Sequence, residues 1–447
     1  MILINLLSDS KVTFQATKPI KKSGTMYALI IFVMVTLLVV SASRAFSQTI
    51  MTIEKSDILS DYMNRISDDF KVPENIKSRV GFWFDIYSKY SASEHVIHHV
   101  SYPWIVFSVF DDRPILSAPG NRWVKYHKAK ALVRAERARV QKTLLSLSKR
   151  KNLNRLTEEE QRMLDLLKDL PGPRAKVLKT AALNLRVQLG QKDFMLSGVH
   201  TSGKYLPAME KTFTEHGLPL EITRLPLVES SFNEAAVSKV GASGIWQLMP
   251  RMGAHFLYMD SVVDERNSPL KATEAAAKLL KQNLRILKEW PLALTAYNHG
   301  PGGLIKASKA VGTRDIGTII QKYSSRSFGF ASSNFYCSFL AALHVEKYQA
   351  EVFGETLVKQ EELQIKSASV RKSLPMKTIA AVSGLAWDDF LKLNLDIRKQ
   401  AVSKNKKLPT GFRLLLPAEN AEKLEAYFDS LPTRVSRQEG RASQPKL

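Results

Sequence analysis

Three short segments hold the residue types that could do chemistry: Val228-Glu229-Ser230-Ser231-Phe232, Gly244-Ile245-Trp246-Gln247 and Ala296-Tyr297-Asn298-His299-Gly300. Glu229 follows the apolar run Leu225-Pro226-Leu227-Val228. Burial among such neighbours disfavours the charged form of a carboxyl and raises its pKa. A carboxylic acid that keeps its proton near neutral pH can serve as a general acid. Taken alone, Glu229 reads as one more surface glutamate on a helix, and Ser230, Gln247, Tyr297 and Asn298 read as packed or satisfied polar residues. The elements around them must therefore bring the three segments to one place.

In this order and spacing the segments resemble the catalytic domain of lytic murein transglycosylases, within the lysozyme-like superfamily. The resemblance runs from about Gly190 to Tyr348. It implies a mainly α-helical domain that cuts the glycan strands of peptidoglycan between N-acetylmuramic acid and N-acetylglucosamine. Most glycosidases use two carboxylates, whereas this family manages with one. The resemblance implies that Glu229 is the catalytic group, first as acid and then as base toward the sugar's own 6-hydroxyl. The product would be a 1,6-anhydro end, with the neighbouring N-acetyl group stabilising a cation-like intermediate. By the same resemblance Ser230 steadies the acid, Gln247 contacts substrate from the cleft wall, the Tyr297 hydroxyl points toward the acid or the N-acetyl group, and Asn298 is the substrate-binding asparagine of the same motif. Tyr336, in Ser333-Asn334-Phe335-Tyr336, joins them as a late cleft residue. His299 reads as a rim residue rather than a second base. No metal and no organic cofactor are implied. Two other readings stay open on the same fold: a hydrolytic muramidase or chitinase using water, and a non-catalytic wall-binding protein.

Length and charge bound the rest. At 447 residues the chain has room for about three domains of ~150 residues. The net charge is +23. Between Lys125 and Arg155 lie Lys128, Lys130, Arg134, Arg137, Arg139, Lys142, Lys149, Arg150 and Lys151, against the lone Glu136. Such an excess suits an anionic partner, a membrane surface or a wall polymer, or simply a solvated basic helix. It lacks the regular aromatic interleaving of a single-strand nucleic-acid platform, and export argues against nucleic acid altogether. Cys337 is the single cysteine, so no intramolecular disulfide forms, and its apolar surroundings point to a buried inert thiol.

Lys21 and Lys22, the apolar run Met26 to Val40 and the small residues Ser41, Ala42, Ser43 and Ala45 describe an export signal or anchor over 1–47. No cysteine lies near it, so the lipoprotein type of anchor is not expected, and the destination is the periplasm or the periplasmic face of a membrane. Residues 48–122 read as a mixed α/β region and 123–190 as a basic helical one. His95, His98 and His99, with Asp111, could be read as a metal site. On a strand, His98 and His99 would point apart, so ordinary surface histidines are expected. The catalytic domain is expected over 191–350. The pattern over 361–420 resembles a LysM module, a small βααβ unit, although Lys372-Ser373-Leu374-Pro375 replaces its usual Gly-Asp-Thr turn. The tail 433–447 is polar and expected to be disordered.

Overall fold

A computed structural model describes residues 53–432; the export segment and the polar tail lie outside the described residues. The helix Pro269–Leu287 shows how the sequence builds the main core. Pro269 sits at its first position, where its missing N–H costs nothing. Ala272, Ala275, Ala276, Leu279, Leu280 and Leu287 fall on one stripe and are buried. Ser268 occupies the cap position, but its hydroxyl makes no capping bond and is buried without a partner.

Helix Phe330–Lys347 is buried nearly all round and runs through the centre, packing Phe335, Cys337, Phe339, Leu340 and Leu343 into the core. Burial pushes the Cys337 thiol up to about 12, in keeping with an inert group. Helix Lys77–Ser88 lies against it and buries Val80, Phe82, Trp83, Ile86 and Tyr87. Each such large side chain contributes about 1.5–3 kcal/mol relative to exposure. Residues from Ile58 to Val96 therefore share one core with residues from Met195 to Tyr348. That core passes across position 190, where the resemblance begins.

The intervening stretch forms a lobe on a three-stranded antiparallel sheet. Strand Glu94–His99 is central, flanked by Val106–Asp111 and Leu185–Leu189. The last of these strands was not legible: the alanine- and leucine-rich pattern reads as helix to about Gln191, but the helix stops at Leu183. The basic region is a 28-residue helix, Arg122–Lys149, followed by a break and a helix Glu158–Leu167 closed by a Thr157/Glu160 capping box. Val140, Leu144 and Leu147 seal it against Ile97, Phe107 and Leu178.

The histidines depart from expectation. The central strand is covered on both faces, so His98 and His99 are both buried, not surface residues. Desolvation lowers each to about 4, which keeps both neutral. His95 pairs with Asp112 at 2.8 Å, and Asp111 turns to Arg113.

The C-terminal unit pairs strands Lys366–Ser369 and Arg413–Leu416 around helices Met376–Val382, Trp387–Leu393 and a third short helix, Lys399–Ser403. A further helix, Ala418–Ser430, packs Leu424 and Phe428 into the same small core. The unit is pinned to the main body: Lys271 pairs with Asp396 at 2.6 Å, and the Asp264 N–H donates to the Asp396 carbonyl at 2.7 Å. Among the described residues no helix is long and apolar enough to cross a membrane.

Candidate active site

Glu229 is the last residue of a five-residue helix, Leu225–Glu229, in which Leu225, Pro226 and Leu227 are buried and Val228 is half-buried. The chain then turns sharply. Ser231 and Phe232 both have positive φ, 52° and 53°, a conformation costly for residues with a side chain. Phe232 is anchored in the core, and its N–H donates to the Pro226 carbonyl at 3.2 Å. Gly198, on helix Lys192–Ser202, lets that helix approach: a Cβ there would sit 2.9 Å from the Ser231 carbonyl oxygen. The turn thus leaves Glu229 at the edge of the core, neither fully buried nor exposed.

The Gly244-to-Gln247 turn is fixed by sterics and hydrogen bonds together. Gly244 has φ +75°, and a Cβ there would lie 1.9 Å from the Arg266 carbonyl oxygen, so only glycine fits. The Arg266 guanidinium donates to the carbonyls of Gly241 and Leu248 while Asp264 holds it from behind. Trp246 is fully buried, stacked on Phe213, and its indole N–H donates to Thr273 at 2.8 Å. Gln247 is a third residue with positive φ, 46°, and its amide donates to the carbonyls of Ala236 and Gly244.

Two hydroxyls join the segments. Ser230 donates to the Ile245 carbonyl at 2.9 Å, not to Glu229. Tyr297, near the end of helix Trp290–His299, donates to the Trp246 carbonyl at 2.7 Å. Asn298 is exposed beside it and accepts from Ser332 at 3.4 Å. His299 is half-buried, with its ring nitrogen 3.0 Å from the Ser332 hydroxyl. Glu229, Ser230, Gln247, Tyr297 and Asn298 are therefore brought together at the surface.

Tyr336 is not part of this group. It is only 1% exposed, stacks on Phe339 and donates to the Asp69 carbonyl, so it is a core residue and not a cleft residue. Its apolar helix already hinted at this. The residue that sequence reasoning missed is Tyr87, from helix Lys77–Ser88. Burial raises its hydroxyl pKa, and the nearby Glu229 carboxyl raises it further. The same two causes act on Tyr297. Tyr87 lies far outside the three segments, and only the apolar pattern of its helix could have placed it in this core.

Desolvation raises the Glu229 carboxyl from 4.5 to about 8. Among the described residues no hydrogen bond or ion pair reaches it to oppose that shift. A protonated acid flanked by two neutral phenols can donate a proton at neutral pH. A surface hollow of about 1040 Å³ beside Lys281 and Trp290 holds none of these residues.

Residues 208–320 match the family model of the transglycosylase SLT domain. The chain therefore carries an SLT domain, and all the sequence-derived site residues except Tyr336 lie inside the match. Over 97 residues it is 35% identical to membrane-bound lytic murein transglycosylase D of Escherichia coli K12, covering 21% of this chain and 22% of that protein. Over 105 residues it is 32% identical to a protein of Alteromonas sp. (strain M-1) named for tributyltin chloride resistance, covering 23% of this chain and 51% of that protein. The chain thus spans well under two thirds of either relative. It is also similar to the X-ray structure of an inactive mutant of lytic transglycosylase Slt from Pseudomonas aeruginosa. That match has a TM-score of 0.26 and 17% identity, covering 56% of this chain and 38% of that one.

Proposed function

We propose that this protein is a peptidoglycan lytic transglycosylase that cleaves the bond between N-acetylmuramic acid and N-acetylglucosamine with Glu229 as its single acid and base. The observation that carries this reading is the raised carboxyl of Glu229 inside a matched SLT domain. Glu229 protonates the leaving oxygen, then accepts the proton of the sugar's 6-hydroxyl as that oxygen closes on the anomeric carbon. The bond to the leaving sugar breaks and a 1,6-anhydro ring forms, with no net change in protons. Gln247 and Asn298 hold the glycan from the surface, while Ser230 and Tyr297 keep the turns in place around the acid. Mass spectrometry of digested wall sacculi tests it. Anhydro ends support the reading, whereas reducing ends point to a hydrolase of the same fold.

We further infer export to the periplasm or to the periplasmic face of a membrane from residues 1–47. The basic helix Arg122–Lys149 suits an anionic surface. Trp123, Val124 and Tyr126 stand 67%, 55% and 50% exposed among its lysines, the combination of apolar rings and cations that membrane interfaces favour.

A further inference from the structure

A second cavity, of about 670 Å³, opens between helix Lys77–Ser88, the hairpin that follows it and the segment from Gly317 to Ser333. Arg79 lines it and is only 7% exposed. Its guanidinium donates to Asn334 Oδ1 at 3.1 Å and to the Ser101 carbonyl at 2.7 Å, both neutral acceptors. A guanidinium carries five N–H groups, so donors remain. No carboxylate lines the cavity among the described residues. A buried cation without a counter-charge is costly, and proteins normally pair it. Beside it, Trp104 is 41% exposed, with the guanidinium 5.6 Å from its ring, and Tyr102 packs edge-on against Trp104. Tyr323 and Gln321 face them from the other wall.

The cavity is tied to the acid by one helix. Arg79 and Tyr87 both lie on Lys77–Ser88, eight residues apart, which is ~12 Å of helix rise. Arg79 and Trp83 both donate to Asn334, and Tyr87 meets Ser338 one turn further along the neighbouring helix. The far wall leads back as well, since Phe328 packs on His299. The cavity and Tyr87, the phenol that lies near Glu229, are thus carried by the same helix.

We propose that this cavity binds a carboxylate-bearing peptide, the stem that peptidoglycan glycans carry, with Arg79 pairing with a carboxylate and Trp104 and Tyr102 covering the apolar part. The inference rests on the peptidoglycan reading above and names which part of that substrate is recognised away from the scissile bond.

The test compares glycan strands bearing stem peptides with strands stripped of them, using the full chain and the variants Trp104→Ala and Arg79→Gln. Both variants should raise KM on stem-bearing strands about tenfold, leave kcat unchanged and leave stripped strands unaffected. Equal effects on both substrates would overturn the proposal. Calorimetric titration with a synthetic stem tetrapeptide and its fully amidated counterpart gives a second readout. The acid form should bind the wild type and lose affinity with either variant, and the amidated form should not bind. Equal binding of the two peptides, or none, counts against the site. Trp104 is partly exposed, so its variant remains informative if Arg79→Gln fails to fold. Should the wild type cleave neither strand, the proposed activity fails, and the titration alone decides the fate of the cavity proposal.

Discussion

The Tyr297 hydroxyl donates to the Trp246 carbonyl at 2.7 Å, so one helix end holds the turn that presents Gln247. Tyr297→Phe removes this donor and leaves the carbonyl unsatisfied. A loss of about 1–3 kcal/mol in denaturant unfolding is expected, together with slower glycan cleavage. A variant that matches the wild type in both would show that the bond positions nothing.

Glu229 gives a pH dependence with a definite sign. Its carboxyl is raised from 4.5 to about 8, so the folded chain holds the proton more tightly than the unfolded chain does. The stability this contributes is complete below pH 4.5 and is lost as pH rises through about 8. Glu229→Gln cannot ionise. Its Tm relative to wild type should therefore rise between pH 5 and pH 8.5, and thermal unfolding at the two pH values checks this. Activity should fall on the alkaline side near pH 8, as the acid loses its proton.

Lys271 is 4% exposed and sits between Glu265 at 3.1 Å and Asp396 at 2.6 Å, joining the C-terminal unit to the main body. Lys271→Ala strands a buried carboxylate, a change that typically costs about 3–5 kcal/mol. Thermal unfolding should show a large drop, and limited proteolysis should release the C-terminal unit. An unchanged melting temperature would mean that Lys271 does not hold the two parts together.

The basic helix should bind vesicles containing anionic lipid and not neutral ones, with binding weakened by salt. Trp123→Ala together with Tyr126→Ala should reduce that binding without changing the cleavage of soluble glycan fragments. Co-sedimentation reads the first and fragment release the second. Equal binding to neutral vesicles would contradict the electrostatic reading.

Much of this fold is legible in the sequence because local chemistry sets it. Pro269 and the alanine-leucine stripe define one helix, and the paired β-branched and aromatic runs around Ile97 and Phe107 define two strands. The left-handed residues Ser231, Phe232 and Gln247 are not legible, because tertiary packing imposes a conformation their side chains oppose. The strand Leu185–Leu189 hides for a similar reason: its partner lies about ninety residues earlier, and pairing overrides a helical composition. Gly300-Pro301-Gly302-Gly303 reads as the end of the preceding helix, and helix Trp290–His299 does stop there; that a new helix, Pro301–Val311, starts at once with Leu304 and Ala307 buried is not legible. Tyr87 could not be assigned to the site from spacing, since only the packing of its helix on Phe330–Lys347 brings it to Glu229.

The central claim is that a single carboxylic acid, with its proton retained by desolvation, carries the reaction. Release of soluble fragments from purified sacculi, timed for wild type and Glu229→Gln, tests it most directly. Removing a general acid should slow release by roughly 10²–10⁴-fold while the variant stays folded. Release by Glu229→Gln at the wild-type rate would contradict the account.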